Sequence, residues 1–387
     1  MSPTRIGIVV NEISGDQLAT SLIRALKRKR PELQFEGMTG PLMEAEGCAG
    51  LEKIDPVMGL TEVIRHLPHL LGVRRRLFHH FSKRPPALFI GVDAPDFNLS
   101  LERRLKAQGI KTAHFVSPTV WAWRQGRAKK FSSTVDLMLC IFDFEVEFLR
   151  RYRVNAAYVG HPMADEIPLE PIPAAAQRRQ LGMDPRRPAI AILPGSRMSE
   201  VSRLSDAFIN TARWCLERRP QLQFVVPLVN AGVREFFGQH LAELAPELPV
   251  TLLDQQARQA ILAAEAVLVA SGTATLECLL LKRPMVVGYR VSPLTYWLFK
   301  RFQLLKVDHV ALSNLLCDQP LAPEFLQQAC NPQKLGPALL ELMDSEGKRA
   351  SIAEAYRRVH ESMRCNAAER AAEQLLALLE DGASPGL

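Results

Sequence analysis

Ala87-Leu88-Phe89-Ile90-Gly91-Val92-Asp93-Ala94-Pro95-Asp96-Phe97-Asn98 is the stretch that decides the fold. Its first half is an apolar run without polar alternation, the pattern of a parallel strand buried on both faces. Its second half is an acidic turn. Open α/β sheets place reacting groups at the carboxyl ends of such strands. Asp93, nearest the strand end, is therefore the candidate general base for an attacking hydroxyl. The spacing Asp93-x-x-Asp96 also invites a metal reading. Pro95 fixes a turn between the two acids, however, and no nearby histidine or third acid completes a coordination set. No metal is expected, and Asp96 and Asn98 equally suit turn and cap chemistry for the next helix.

The same alternation extends in both directions. Towards the N-terminus, Arg5–Val10 and Leu33–Glu36 read as strands and Asp16–Lys29 as an amphipathic helix; towards the C-terminus, Lys111–Val116 and Leu137–Ile141 are further strands. Pro168 to Pro173, with Pro171 between them, breaks the pattern as a linker does, because proline lacks the donor a helix or central strand requires. A new series then begins with Ala189–Leu193, Phe224–Val226, Val250–Leu253, Ala266–Val269 and Met285–Gly288. From about Pro332 the chain reads as helical. The expectation is α/β: two Rossmann-like doubly wound domains, residues 1–167 and 168–350, facing across a cleft, with a helical C-terminal segment over 351–387.

At 387 residues the chain can bury two ordinary cores, and 47% hydrophobic with 23% charged residues excludes a disordered polymer. No stretch approaches the roughly 20 apolar residues that span a bilayer, and Ile6–Val10 is too brief for a signal peptide. The seven cysteines are scattered and include no C-x-x-C pair, which argues against disulfides and zinc. Those features suit a cytoplasmic protein. A net charge of +7 favours an anionic partner: nucleic acid, acidic lipid or a phosphorylated substrate.

Three further strand-to-helix turns can carry chemistry. Glu12-Ile13-Ser14-Gly15-Asp16 follows the opening strand and forms a helix N-terminus able to hold an anion or a sugar hydroxyl, or else Ser14 or Asp16 simply caps the helix. In Leu193-Pro194-Gly195-Ser196-Arg197, Gly195 permits a close backbone turn and Arg197 offers a bidentate fork for phosphate oxygens, with a surface salt bridge as the plain alternative. It is not a Walker loop, having no second glycine followed by Lys and Ser or Thr. Ser271-Gly272-Thr273 offers hydroxyls and N–H groups to phosphate, and Glu277, one helical turn on, can accept from ribose hydroxyls; a plain helix start fits equally.

Between Val57 and Phe81 the chain is both basic and apolar. Val63, Ile64, Leu67, Leu70 and Leu71 gather near one helical face, with Arg74, Arg75 and Arg76 beside them, and Pro68 is expected to divide the stretch into two helices. Such a helix can rest in an anionic membrane interface or bury its apolar face in the domain core. Trp121-Ala122-Trp123-Arg124, shortly after the expected strand Lys111–Val116, reads as a wall of the cleft rather than a nucleic-acid stacking platform; no nucleic-acid partner is expected.

The ordered set Ser14-Gly15-Asp16, Ala45-Glu46-Gly47-Cys48, Val57-Met58-Gly59, Asp93-Ala94-Pro95-Asp96-Phe97-Asn98, Val116-Ser117-Pro118, Val120-Trp121-Ala122-Trp123-Arg124, Leu193 to Arg197, Ser271 to Ala274, Ser313-Asn314-Leu315-Leu316 and Arg364-Cys365-Asn366-Ala367 resembles the lipid-A-disaccharide synthase family. The resemblance implies a GT-B fold whose C-terminal helices pack back on an N-terminal domain, exchanged in a dimer. It implies UDP-2,3-diacylglucosamine and lipid X as substrates, no cofactor, and a peripheral position on the cytoplasmic side of the inner membrane. Carried over by motif, Asp93 is the essential acid, Arg197 contacts the diphosphate, Ser271, Gly272 and Thr273 hold phosphate, and Glu277 and Asn314 contribute to the nucleotide site. A UDP-GlcNAc 2-epimerase-like enzyme and a non-catalytic binding protein of this fold are the alternatives. Where the family commonly has Gly-Glu-Thr-Ser-Gly-Asp, this chain has Asn11 and Ile13 in place of Gly and Thr. Asn tolerates left-handed geometry, which would let the turn survive, whereas Ile13 removes a hydroxyl.

Overall fold

The computed structural model describes residues 4–54, 63–123, 125–292, 296–297, 301, 309–317 and 319–380. The chain divides into two compact units, Met1–Asp165 with Met363–Leu387, and Glu166–Ser362.

The first unit holds β1 (Arg5–Val9), β2 (Gln34–Thr39), β3 (Ala49–Lys53), β4 (Leu88–Val92), β5 (Thr112–Phe115), β6 (Leu137–Cys140) and β7 (Ala156–Tyr158). They form one sheet in the order β3-β2-β1-β4-β5-β6-β7, with parallel pairing throughout. The second unit holds β8 (Ala189–Leu193), β9 (Gln223–Leu228), β10 (Val250–Asp254), β11 (Ala266–Val269), β12 (Met285–Tyr289) and β13 (Glu324–Leu326), ordered β10-β9-β8-β11-β12-β13 and again parallel. Each sheet grows one way from its first strand and then restarts on that strand's other side. This is the doubly wound plan, and its crevices open between β1 and β4 and between β8 and β11.

Burial explains why these segments are strands. Every residue of β4, β5, β6, β8, β9 and β11 is buried, as helix-covered parallel strands require. The strands that the sequence does not announce, β3, β7 and β13, all lie at sheet edges. There the backbone ladder alone defines them; β3 is mostly exposed.

Pro68 does not break its helix. One helix, α3, runs Val63–Lys83 with the proline inside. Pro68 stands so near the start that only the bond to the Ile64 carbonyl is forfeited, against a long apolar face that Val73, Leu77 and Phe81 bury in the core. The tail is helical as expected: Pro332–Asp344, Glu346–Met363 and Ala367–Glu380. The last of these seats Ala371, Ala372 and Leu375 in the core of the first unit, and Asp165 caps it by accepting from Asn366 N (2.9 Å) and Ala367 N (2.6 Å).

Candidate active site

In the first unit the crevice lies where β1 and β4 end. Asp93 follows β4 and is half-buried; it has φ 51°, and Ala94, next in line, has φ 41°. Val116, just past the neighbouring β5, has φ 81°. Left-handed backbone is disfavoured for any residue with a Cβ and most of all for a β-branched one. Three such residues at adjoining strand ends mark a site whose geometry the surroundings enforce. The enforcing groups are buried. Asn98, on α4 (Pro95–Lys106), donates its amide to the carbonyls of Asp93 (2.9 Å), Val92 (3.2 Å) and Val9 (3.4 Å). Glu102, one turn along, meets His114 Nδ1 at 2.8 Å with both side chains fully buried. Burial pushes the Glu102 carboxyl up, and its bonds to His114 and to the Gly91 backbone work against that shift. Gly91 must be glycine, because a Cβ there would lie 2.1 Å from Glu102 Oε1.

In the first turn of α1 (Ile13–Lys29), Asp16 finds its partners outside its own helix. Asp16 is buried and does not cap its own helix. Its two oxygens accept from Leu42 N and Met43 N, each at 3.0 Å, at the start of α2 (Pro41–Ala45). Gly40 leaves room for that carboxylate: a Cβ there would sit 2.3 Å from Asp16 Cγ. Glu12, Ile13 and Ser14 are exposed at the crevice edge, Gly15 packs against Val10, and Asn11 does not take up a left-handed φ. Asp96 points its carboxylate to Arg127 (2.9 Å). Among the described residues no group of three His, Cys, Asp or Glu is placed to hold a metal ion.

The crevice of the second unit is open. A pocket of about 540 Å³ lies at the ends of β8, β9, β10 and β11. It brings together Gly195, Ser196 and Arg197 with Ser271, Gly272 and Thr273. Gly195 (φ 120°) and Gly272 (φ 134°) adopt backbone that a side chain would oppose. Glu200 receives the N–H groups of Ser196 (3.2 Å) and Arg197 (3.4 Å) and also pairs with Arg197 Nη1 (3.1 Å), so the salt bridge anticipated for Arg197 is formed inside the pocket itself. Ser271 Oγ donates to Val310 O (2.7 Å), and Thr275 Oγ1 accepts from Leu312 N (3.1 Å), which pins the small-residue turn to the segment after it.

Two of the residues expected at the nucleotide do not line this pocket. Glu277 pairs with Arg258 at 3.3 Å. Asn314 is buried with its amide engaged on both sides: Nδ2 donates to Ala322 O and to Glu324 Oε1, both at 2.8 Å, and Oδ1 accepts from Ala322 N at 2.9 Å. Conversely, Gln255 and Gln256 line the pocket unforeseen. Both are left-handed (φ 61° and 53°), a conformation for which glutamine gives no sequence signal; their place after β10 was the available clue.

The basic stretch is corrected in part. Leu70 is buried in the first unit's core and leaves the surface patch, and Arg76 is held by Glu52 (Nη2–Oε2 3.0 Å). Leu71 (46% exposed) and Arg75 face solvent, and Arg74 is half-exposed. The side chains of Val63, Ile64 and Leu67, and the motif Val57-Met58-Gly59, lie outside the described residues, as does Arg124. Trp121 is buried and donates its indole N–H to Glu145 (3.1 Å), with Phe144 edge-on to its ring. No helix among the described residues is long and apolar enough to cross a membrane.

Two Rossmann-like units in one chain, one with an open switch-point pocket, are the parts of the GT-B fold. Solved structures agree on the fold. UDP-GlcNAc 2-epimerase from Neisseria meningitidis, bound to UDP-GlcNAc, matches with a TM-score of 0.64 at 11% identity over 97% of this chain and 100% of its own. Sucrose-phosphate synthase from Thermosynechococcus elongatus matches with a TM-score of 0.61 at 13% identity over 98% and 100%. Sequence narrows the class. The family model described as lipid-A-disaccharide synthetase matches residues 6–377. Lipid-A-disaccharide synthase from Yersinia pseudotuberculosis is 48% identical over 98% of this chain and 96% of its own length, and that from Escherichia coli O8 is 47% identical over 98% and 99%. The chain belongs to the lipid-A-disaccharide synthase family of glycosyltransferases.

Proposed function

We propose that this protein transfers 2,3-diacylglucosamine from UDP-2,3-diacylglucosamine to lipid X (2,3-diacylglucosamine 1-phosphate), forming the β-1,6-linked disaccharide 1-phosphate and UDP. The observation that carries the reading is the family match across residues 6–377, which spans both units and both crevices. The reaction is a single inverting displacement. Asp93 takes the proton from the 6-hydroxyl of lipid X as that oxygen attacks the donor's anomeric carbon and the bond to UDP breaks. Arg197, with Gly195, Ser196, Ser271, Gly272 and Thr273, stabilises the charge gathering on the departing diphosphate. Arg197 is paired with Glu200 at 3.1 Å, so the diphosphate competes with that carboxylate for the guanidinium. Glu277 and Asn314 support the nucleotide site from behind it, the latter by fixing the segment to which Ser271 is bonded.

Acylated substrates suit a peripheral enzyme on the cytoplasmic side of the inner membrane. Leu71, Arg74 and Arg75 on α3 supply apolar and positive surface for an anionic bilayer. The capped seat of Ala367–Glu380 on the first unit is one that a second copy's helix would fit equally in an exchanged homodimer.

The test is incubation of the purified protein with both lipid substrates in detergent micelles containing EDTA, following UDP and disaccharide by mass spectrometry. Equal amounts of both are expected. With an active relative as positive control, absence of UDP sinks the assigned reaction. A soluble UDP-sugar converted without any acceptor would favour an epimerase.

A further inference from the structure

We propose that Asn98 is the positioning residue for Asp93: its amide clips the carbonyls of Val9, Val92 and Asp93 and holds Asp93 and Ala94 in the left-handed backbone that fixes where the carboxylate stands. The inference rests on the reading of Asp93 as the base. Motif spacing offers Asn98 as a cap for the next helix, and the structure gives it a different task. Its side chain is fully buried, and all its hydrogen bonds run back to the strand ends: one carbonyl on β1, one on β4 and one on Asp93 itself. The orientation of the amide is not ambiguous, since the reverse would face an oxygen on three carbonyl oxygens. One NH₂ thus ties both sides of the switch point to the residue that follows it.

The clip works against resistance. Asp93 and Ala94 are consecutive left-handed residues with side chains, and Ala94, directly before the helix, has φ 41° and ψ 58°. Left to themselves they would relax to the right-handed or extended regions. The Asp93 N–H bonds Phe115 O at 2.8 Å, which secures one side of the residue, and Asn98 secures the carbonyl on the other. Below, Asn98 packs closely over the backbone of Gly91, where an added Cβ would come within 2.9 Å of Asn98 Cβ, and the neighbouring Glu102 is itself locked to buried His114. Asn98 does not touch the reacting atoms in this scheme. It sets the backbone from which the base projects, and misplacing a reacting group by about 1 Å costs on the order of 100-fold in rate.

The experiment compares full-length Asn98→Ala, Asp93→Asn and wild type in the two-product assay, with thermal melts and UDP titrations on each. For Asn98→Ala, kcat is expected to fall about 100-fold, while KM for both lipid substrates and affinity for UDP stay within about threefold, and the melt stays well above the assay temperature. A folded variant with kcat within about threefold of wild type, or with the loss confined to KM, overturns the proposal. Ala94→Gly lowers the cost of the left-handed turn, so adding it to Asn98→Ala is expected to recover about fivefold in kcat, beyond any gain it gives alone; no recovery also overturns the proposal. If Asn98→Ala does not fold, the similarly sized Asn98→Leu, which has no donor, takes its place, and wild-type kcat in that folded variant is the contradicting result. Near-normal turnover by Asp93→Asn would instead remove the base assignment on which the inference stands. An inactive Asp93→Asn beside a normal Asn98→Ala refutes the positioning alone.

Discussion

The crevices at β1/β4 and β8/β11 share a strand order and a place in the sheet, yet they use their polar residues in opposite ways. At β1/β4, Asp16, Asn98, Glu102 and His114 are buried and bonded to backbone or to one another. At β8/β11, Ser196, Arg197, Gly272 and Thr273 are exposed around an open pocket. The first crevice spends its polar groups on holding a strained turn in place; the second leaves them to a ligand. General-base chemistry needs one carboxylate in a fixed position, whereas holding a diphosphate needs several donors that converge on open space. The contrast fits a division of labour, with chemistry in the first unit and nucleotide binding in the second.

The sharpest way to break that contrast is Asp93→Asn, expected to lower kcat by about 10²- to 10⁴-fold in the two-product assay; near-normal turnover would leave the first crevice without its role. Next comes Arg197→Ala. Loss of a charged hydrogen-bonding partner should weaken UDP binding by roughly 10- to 100-fold in calorimetry, and an unchanged affinity would mean that the guanidinium stays with Glu200. Asp16→Ala probes the scaffold side. It leaves the N–H groups of Leu42 and Met43 unanswered and should cost about 1–3 kcal/mol in urea unfolding without changing UDP affinity. The smallest effect is a slope. Burial pushes Glu145 up to about 8 from an ordinary 4.5, so the folded protein holds a proton that the unfolded chain releases. Stability from this group is full below about pH 4.5 and is lost as pH rises towards about 8. His161, pushed down to about 4 by burial, acts with the opposite sign below its ordinary 6.5. Between pH 6.5 and 8 only Glu145 contributes of the two, and Glu145→Gln should remove a decline of about 1 kcal/mol per pH unit from the unfolding free energy.

The sequence made the central strands plain, because a short apolar run without polar alternation has few other structural uses, whereas each glycine-and-hydroxyl turn after such a strand read equally as a phosphate site or as a plain helix start or salt bridge. It left β3, β7 and β13 unseen, since an edge strand is defined by its ladder rather than by burial. Pro68 misled for a related reason: local propensity cannot weigh one forfeited bond against the burial of Val73, Leu77 and Phe81. At the site, residues in open turns were legible and residues that work across long loops were not. Asp16 caps a helix 26 residues away, and Asn314 closes on Ala322 and Glu324. Nothing in their own neighbourhoods announces those partners. Gln255 and Gln256 escaped because their value to the pocket is backbone shape rather than residue type.

The division of labour meets its most direct test in a calorimetric titration of UDP into Asp93→Asn, beside wild type. The account predicts the same dissociation constant for both, with the nucleotide held wholly by the β8/β11 pocket. A markedly weaker affinity in Asp93→Asn would place the first crevice in nucleotide binding and contradict it.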